Sequence, residues 1–187
     1  MLASSAINSK GIAAEDHCGD VFVFANLEIL DQLNTAIHHF TDEVYTYKAS
    51  AHISSIGMHV RHILEFYQAF LKTVKANSNK EICYDNRKRN LLLETSKESA
   101  IQELNKIKEA LAVMPSNDCN FVLSVIIKPS KPLVSMPTTL HRELYHVHDH
   151  TIHHMALIKL TAERQGITLG ESFGLAKATQ AYQETLK

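Results

Sequence analysis

From Ile56 to Val74 the apolar residues Ile56, Val60, Ile63, Tyr67, Phe70 and Val74 recur at steps of three or four. That period matches the turn of an α-helix and lines the apolar side chains along one side. Ser55, immediately before, is a good N-cap. A stripe of this kind has to be covered by other elements. The chain supplies three more. Leu27, Leu30, Leu33, Ile37 and Phe40 mark a helix from about Asp20, as its cap, to Phe40. Ile101, Leu104, Ile107 and Leu111 mark another, opening at Thr95 with Glu98 as capping-box partner and with Pro115 beyond its end. Leu140, Leu144, Val147, Thr151, Met155 and Ile158 mark the last, from Thr138 or Thr139 to about Gln165, stopped by Gly166.

Four such stripes predict an all-α chain, packed most simply as an antiparallel four-helix bundle. One segment breaks the period. Phe121 to Ile127 is apolar and β-branched, "KPSKP" makes a turn, and Leu133 to Met136 can return. A short β-hairpin excursion between the third and fourth helices is expected there. Thr41 to Ser54 reads as a connection, and the glycine-punctuated tail after Gln165 reads as an outer wrap ending in a short helix. With 187 residues in all, one domain over 20–187 accounts for the core, and residues 1–19 read as a flexible leader.

Several classes of function fit poorly. The formal net charge is -1, without the basic excess of a nucleic-acid binder. No apolar run of about 18 residues suggests a membrane span. Cys18, Cys83 and Cys119 are odd in number and include no C-x-x-C pair. Reduced thiols in a cytoplasmic protein are the expectation. Phosphate-loop, dinucleotide and G-x-S-x-G fingerprints are missing, so no serine or cysteine nucleophile stands out.

Histidine is the unusual residue. Of 12, nine fall in two stretches, one with His52, His59 and His62, the other with His141, His146, His148, His150, His153 and His154. On a helix His150 and His154 stand about 40° apart and about 6 Å apart along the axis. Imidazoles at that spacing can converge on one ion at about 2.0–2.1 Å. His146 lies one turn back on the same side. Two ligands do not close a site, so a third has to come from elsewhere, and His59 or His62 in the second long helix can face the pair. Three neutral nitrogens leave coordination positions open, as in catalytic sites. The plainer alternative is a set of packed or pH-sensitive histidines that bind no ion.

"SIGMHVRHI" followed much later by "HDHTIHHMALI" resembles the DinB/YfiT-like superfamily of metal-binding four-helix proteins. The match takes in "YDNRKRN", "HREL" and "FGLAKATQAY", and spans roughly residues 20 to 183 in the expected order. It resembles a subgroup of that superfamily with a YDxRxR segment. The family's helix histidine follows its serine by seven positions, which here is Ser55 and His62; its paired histidines match His150 and His154. The resemblance implies a divalent transition metal on His62, His150 and His154; the residues by themselves leave His59 and His146 as alternative ligands. It also implies frequent homodimers, for which an exposed apolar face on the first helix would be a natural contact. Some relatives transfer groups to low-molecular-weight thiols and others are hydrolytic, so a small-molecule thiol or electrophile is the implied partner. Zinc, nickel or iron suits such donors, although affinity order alone would favour copper.

Glu143 precedes His150 by seven residues, on nearly the same helical face. It is a candidate catalytic base or an acceptor that orients an imidazole, and it can equally pair with Arg61 or Arg142. Tyr84, Arg87 and Arg89 are candidates for binding an anionic substrate, because guanidinium forks suit carboxylate and phosphate. The competing reading ties Arg87 or Arg89 to Glu65 or Glu143 as a structural ion pair. The functional expectation is a metal-dependent enzyme activating water or a low-molecular-weight thiol. A non-catalytic metal- or ligand-binding helical protein is the alternative.

Overall fold

The computed structural model describes residues 18–76, 80–115 and 117–186. Residues 1–17, most of the expected leader, lie outside the described residues. The elements run α1 (Cys18–His39), α2 (Asp42–Thr46), α3 (Ile56–Lys75), β1 (Glu81–Ile82), α4 (Leu92–Thr95), α5 (Lys97–Ala112), β2 (Asn120–Val125), β3 (Val134–Thr139), α6 (Leu140–Glu163) and α7 (Lys177–Glu184). The chain is therefore mostly helical with a small sheet. Its four long helices are the four read from the stripes. Among them α1 and α3 each pack on both α5 and α6.

Local chemistry sets the helix ends. Ser55 accepts from the Met58 amide at 3.1 Å and starts α3. Thr139 caps α6 by accepting from the Arg142 amide. The cap of α5 is Ser96, one residue later than expected, because Thr95 closes the short helix α4. Gly166 ends the α6 region with a φ of 76°, a conformation that suits glycine.

Val60, Ile63, Tyr67 and Phe70 of α3 are fully buried, with Leu30, Leu33 and Ile37 of α1, Leu104 and Leu111 of α5, and Leu144 and Met155 of α6. Each large apolar side chain so buried contributes about 1.5–3 kcal/mol. One polar joint crosses this core. The Tyr67 hydroxyl donates to Asn26 Oδ1 at 2.6 Å, and Asn26 Nδ2 donates to the Leu144 carbonyl at 3.1 Å. Buried polar groups paired in this way fix the mutual register of α1, α3 and α6.

The expected hairpin is present: β2 and β3 pair antiparallel, with Asn120 opposite Thr139 and Val125 opposite Val134. Its sheet has a third strand, since β1 pairs parallel with β2. The Ile126 amide donates to Asp85 at 2.8 Å, fastening the 84–89 segment to the end of the hairpin. The tail after α6 folds back with Phe173 buried. Gly174 (φ 68°) lies so close to α6 that a methyl group there would stand 2.5 Å from the Ala156 amide nitrogen. No helix among the described residues is long and apolar enough to cross a membrane.

Candidate metal centre

The contact between α3 and α6 brings two helical spacings together. The cap at Ser55 fixes the phase of α3 and places His62 two turns in, facing α6. His150 and His154, one turn apart on α6, meet it there. His62 Nε2 lies 2.9 Å from His150 Nε2. One nitrogen from each of His62, His150 and His154 lies within 4.8 Å of the others, and all three side chains are half-buried.

Burial is the main reason these rings stay neutral. It holds His62 down to about 3, helped by the Arg87 guanidinium, and His154 down to about 3, helped by His62 and His150. His150 is lowered to about 4 by burial first and then by His146 and His153. Neutral imidazole is the form that binds metal, so the donors need no deprotonation at neutral pH. The three residues therefore fit a divalent transition metal, as converging, neutral and partly shielded donors.

Each of the three histidines has a different neighbour at its back. His154 Nδ1 lies 3.0 Å from His59 Nδ1. His62 Nδ1 faces Arg87, whose Nη2 donates to it at 2.7 Å. An imidazole nitrogen that accepts this bond carries no proton, so the neutral ring keeps its proton on Nε2, toward His150. His62 can ligate through Nε2 only when that proton moves to Nδ1, and Arg87 then has to give up its contact. His150 instead has an apolar wall. Its ring stacks on Phe66 with centroids 4.0 Å apart, and Phe66 stacks on Tyr84 at 4.8 Å.

Arg87 also donates through Nε to Glu65 at 3.1 Å and through Nη1 to the Tyr84 carbonyl at 2.9 Å. Glu65 is buried and accepts the Asn90 amide at 2.8 Å as well. The pairing of Arg87 with Glu65 is thus present, while Arg89 is exposed. Behind Arg87 opens a cavity of about 580 Å³, walled in part by Lys72, Cys83, Lys88 and Leu133. A larger one, about 750 Å³, lies between α1 and the 168–173 segment and includes none of the three histidines.

Glu143 is fully buried, and three donors occupy its oxygens: the Tyr84 hydroxyl at 2.7 Å, the Thr138 hydroxyl at 2.6 Å and Arg142 Nη1 at 2.8 Å. Burial, then the Glu143 charge, pushes the Tyr84 phenol well up. Of the two alternatives at Glu143, pairing with Arg142 is the contact present. His146 sits between Tyr84 and His150, with centroids 5.3 and 5.8 Å away, and adds no nitrogen to the converging group. His153 is exposed. Sequence reasoning missed Phe66 and Thr138. Phe66 falls beside the α3 stripe, and a phenylalanine at helical spacing signals only core.

A mostly helical chain with three neutral histidines converging between two of its long helices has the makings of a metal-binding helical protein. The comparison with family models places it more closely: the chain belongs to the DinB family, whose model matches residues 21–184. No curated protein and no solved structure matches it.

Proposed function

We propose that the chain binds one divalent transition metal through His62, His150 and His154 and acts on a small molecule at that centre. Zinc, nickel and iron are the candidates. The observation that carries this reading is the convergence of three neutral, half-buried imidazole nitrogens. In it, α1, α3, α5 and α6 form an antiparallel four-helix bundle, and α3 and α6 bring the ligands together. A metal with open positions lowers the pKa of water or a thiol and so supplies a nucleophile near neutral pH. The reaction is then hydrolysis or transfer to a low-molecular-weight thiol.

The chain's own residues set the surroundings. Phe66 shields His150 on one side and keeps water from that face. Arg87, at the back of His62 and on the wall of the 580 Å³ cavity, is the candidate for holding an anionic substrate group. Tyr84 supports Arg87 by accepting its Nη1 at the backbone carbonyl. Exposed Val21 and Phe24 on α1 are consistent with a homodimer.

A second reading, a metal- or ligand-binding protein without turnover, draws on one observation. The carboxylate of Glu143 already accepts from three donors, which leaves it poorly placed to take a proton. Elemental analysis of tag-free protein beside His62→Ala and His150→Ala tests the metal centre. About one metal per chain, lost in both variants, is expected; a wild type that holds none and takes none up would sink it. Screening the loaded protein for hydrolysis and thiol transfer then separates the two readings.

A further inference from the structure

We infer that His59 is a positioning residue, accepting the Nδ1 proton of His154 so that His154 presents Nε2 to the metal. This rests on the three-histidine centre proposed above. The two Nδ1 atoms are 3.0 Å apart, so one ring has to donate and the other accept. A neutral ligand histidine that binds through one nitrogen keeps its proton on the other. With His154 Nδ1 held by His59, Nε2 is the nitrogen left for His62 and His150. His154 is then the donor and His59 the acceptor, and His59 carries its own proton on Nε2.

His59 is placed for this by the helix that supplies His62. It lies one turn earlier on α3, on a neighbouring line of the same face. Its ring is half-buried and tilted at 42° to that of His154, centroids 5.3 Å apart. It contributes no nitrogen to the converging group. The contact therefore spans α3 and α6 without adding a ligand. Its effect is to choose the tautomer of His154 and to fix its ring rotation, the role that acceptors behind metal-bound histidines play elsewhere.

The test uses cobalt(II) as probe on the full chain. Exchangeable ring N–H protons of cobalt-bound histidines give hyperfine-shifted proton resonances, one per ligand. Wild type is expected to show three. In His59→Ala one of them should shift or exchange too fast to observe, and competition with a chromophoric chelator should show roughly 10- to 100-fold weaker cobalt binding. His59→Gln, whose carbonyl can accept, should recover part of the affinity and the resonance. His153→Ala, an exposed neighbour, should match wild type. Four such resonances in wild type would make His59 a ligand and overturn the inference, as would an unchanged spectrum and affinity in His59→Ala. If His59→Ala does not fold, His59→Gln decides: lost affinity with no retained resonance counts against it. Failure of wild type to bind cobalt overturns the centre itself, a result separate from any His59 effect.

Discussion

His154 and His62 lie in one cluster, yet their backs are built in opposite senses. Behind His154 stands His59, which can accept a proton; behind His62 stands Arg87, which can only donate. The first neighbour favours the tautomer that frees Nε2, and the second favours the tautomer that blocks it. One half of the centre is therefore preset for an ion, and the other has to rearrange. The difference shows that converging nitrogens alone do not describe such a site, because the partner of each remaining nitrogen decides which lone pair is available.

Removing a ligand should have the largest effect. His154→Ala and His62→Ala are both expected to lower bound metal from about one per chain to none by elemental analysis; retention in either would remove that residue from the donor set. His59→Ala follows, with its 10- to 100-fold loss. Arg87 should respond with the opposite sign. Arg87→Met frees His62 Nδ1 from a donor and removes a nearby positive charge, so isothermal titration should show metal binding about threefold to tenfold tighter, given the net worth of about one hydrogen bond. Weaker binding would mean that Arg87 supports the loaded centre and that the contrast is false.

A smaller effect belongs to a part of the site that faces away from the ion. Tyr84→Phe leaves buried Glu143 with two donors instead of three. Urea melts should show a loss of about 1–3 kcal/mol with metal affinity nearly unchanged. A large fall in affinity would join the Glu143 network to the metal centre.

The pH response of the metal-free protein tests the shared cause, burial. His62, His150 and His154 have folded values of about 3 to 4 against an ordinary 6.5. Below about 6.5 the unfolded chain takes up protons that the folded chain refuses, so stability is full above that pH and is lost as pH falls toward 4. Thermal melts from pH 8 to 5 should show the midpoint falling on the acid side. Replacing His62 and His150 with glutamine should flatten the slope; an unchanged slope would mean that other groups carry it.

The sequence made the long-range frame legible and left the short elements hidden. Stripes of four or more apolar residues announced α1, α3, α5 and α6, since burial of one face dictates that period. The β-branched run and the prolines announced the hairpin. Helices α2 and α4, of five and four residues, are too short to show a period, and β1, with two, has no alternation to read. At the site, the i, i+4 spacing points to His150 and His154, and charge points to a pairing of Arg87 or Arg89 with Glu65 or Glu143, of which Arg87 with Glu65 is present. The choice of His59 as neighbour of His154, and of Thr138 and Tyr84 as neighbours of Glu143, depends on how α3, α6 and the sheet are rotated against one another. Spacing within one element carries no information about that rotation.

Gly174 extends the centre's requirements to a part of the chain that has no histidine. Its backbone presses on α6 at Met155 and Ala156, directly after His154. A single added methyl group would force either that segment or the helix carrying His150 and His154 to shift. Nitrogens that must meet one ion tolerate errors of only about half an ångström. The segment around Gly174 thus works as a gauge for α6, and isothermal titration of Gly174→Ala is expected to show weaker metal binding although no donor atom is changed.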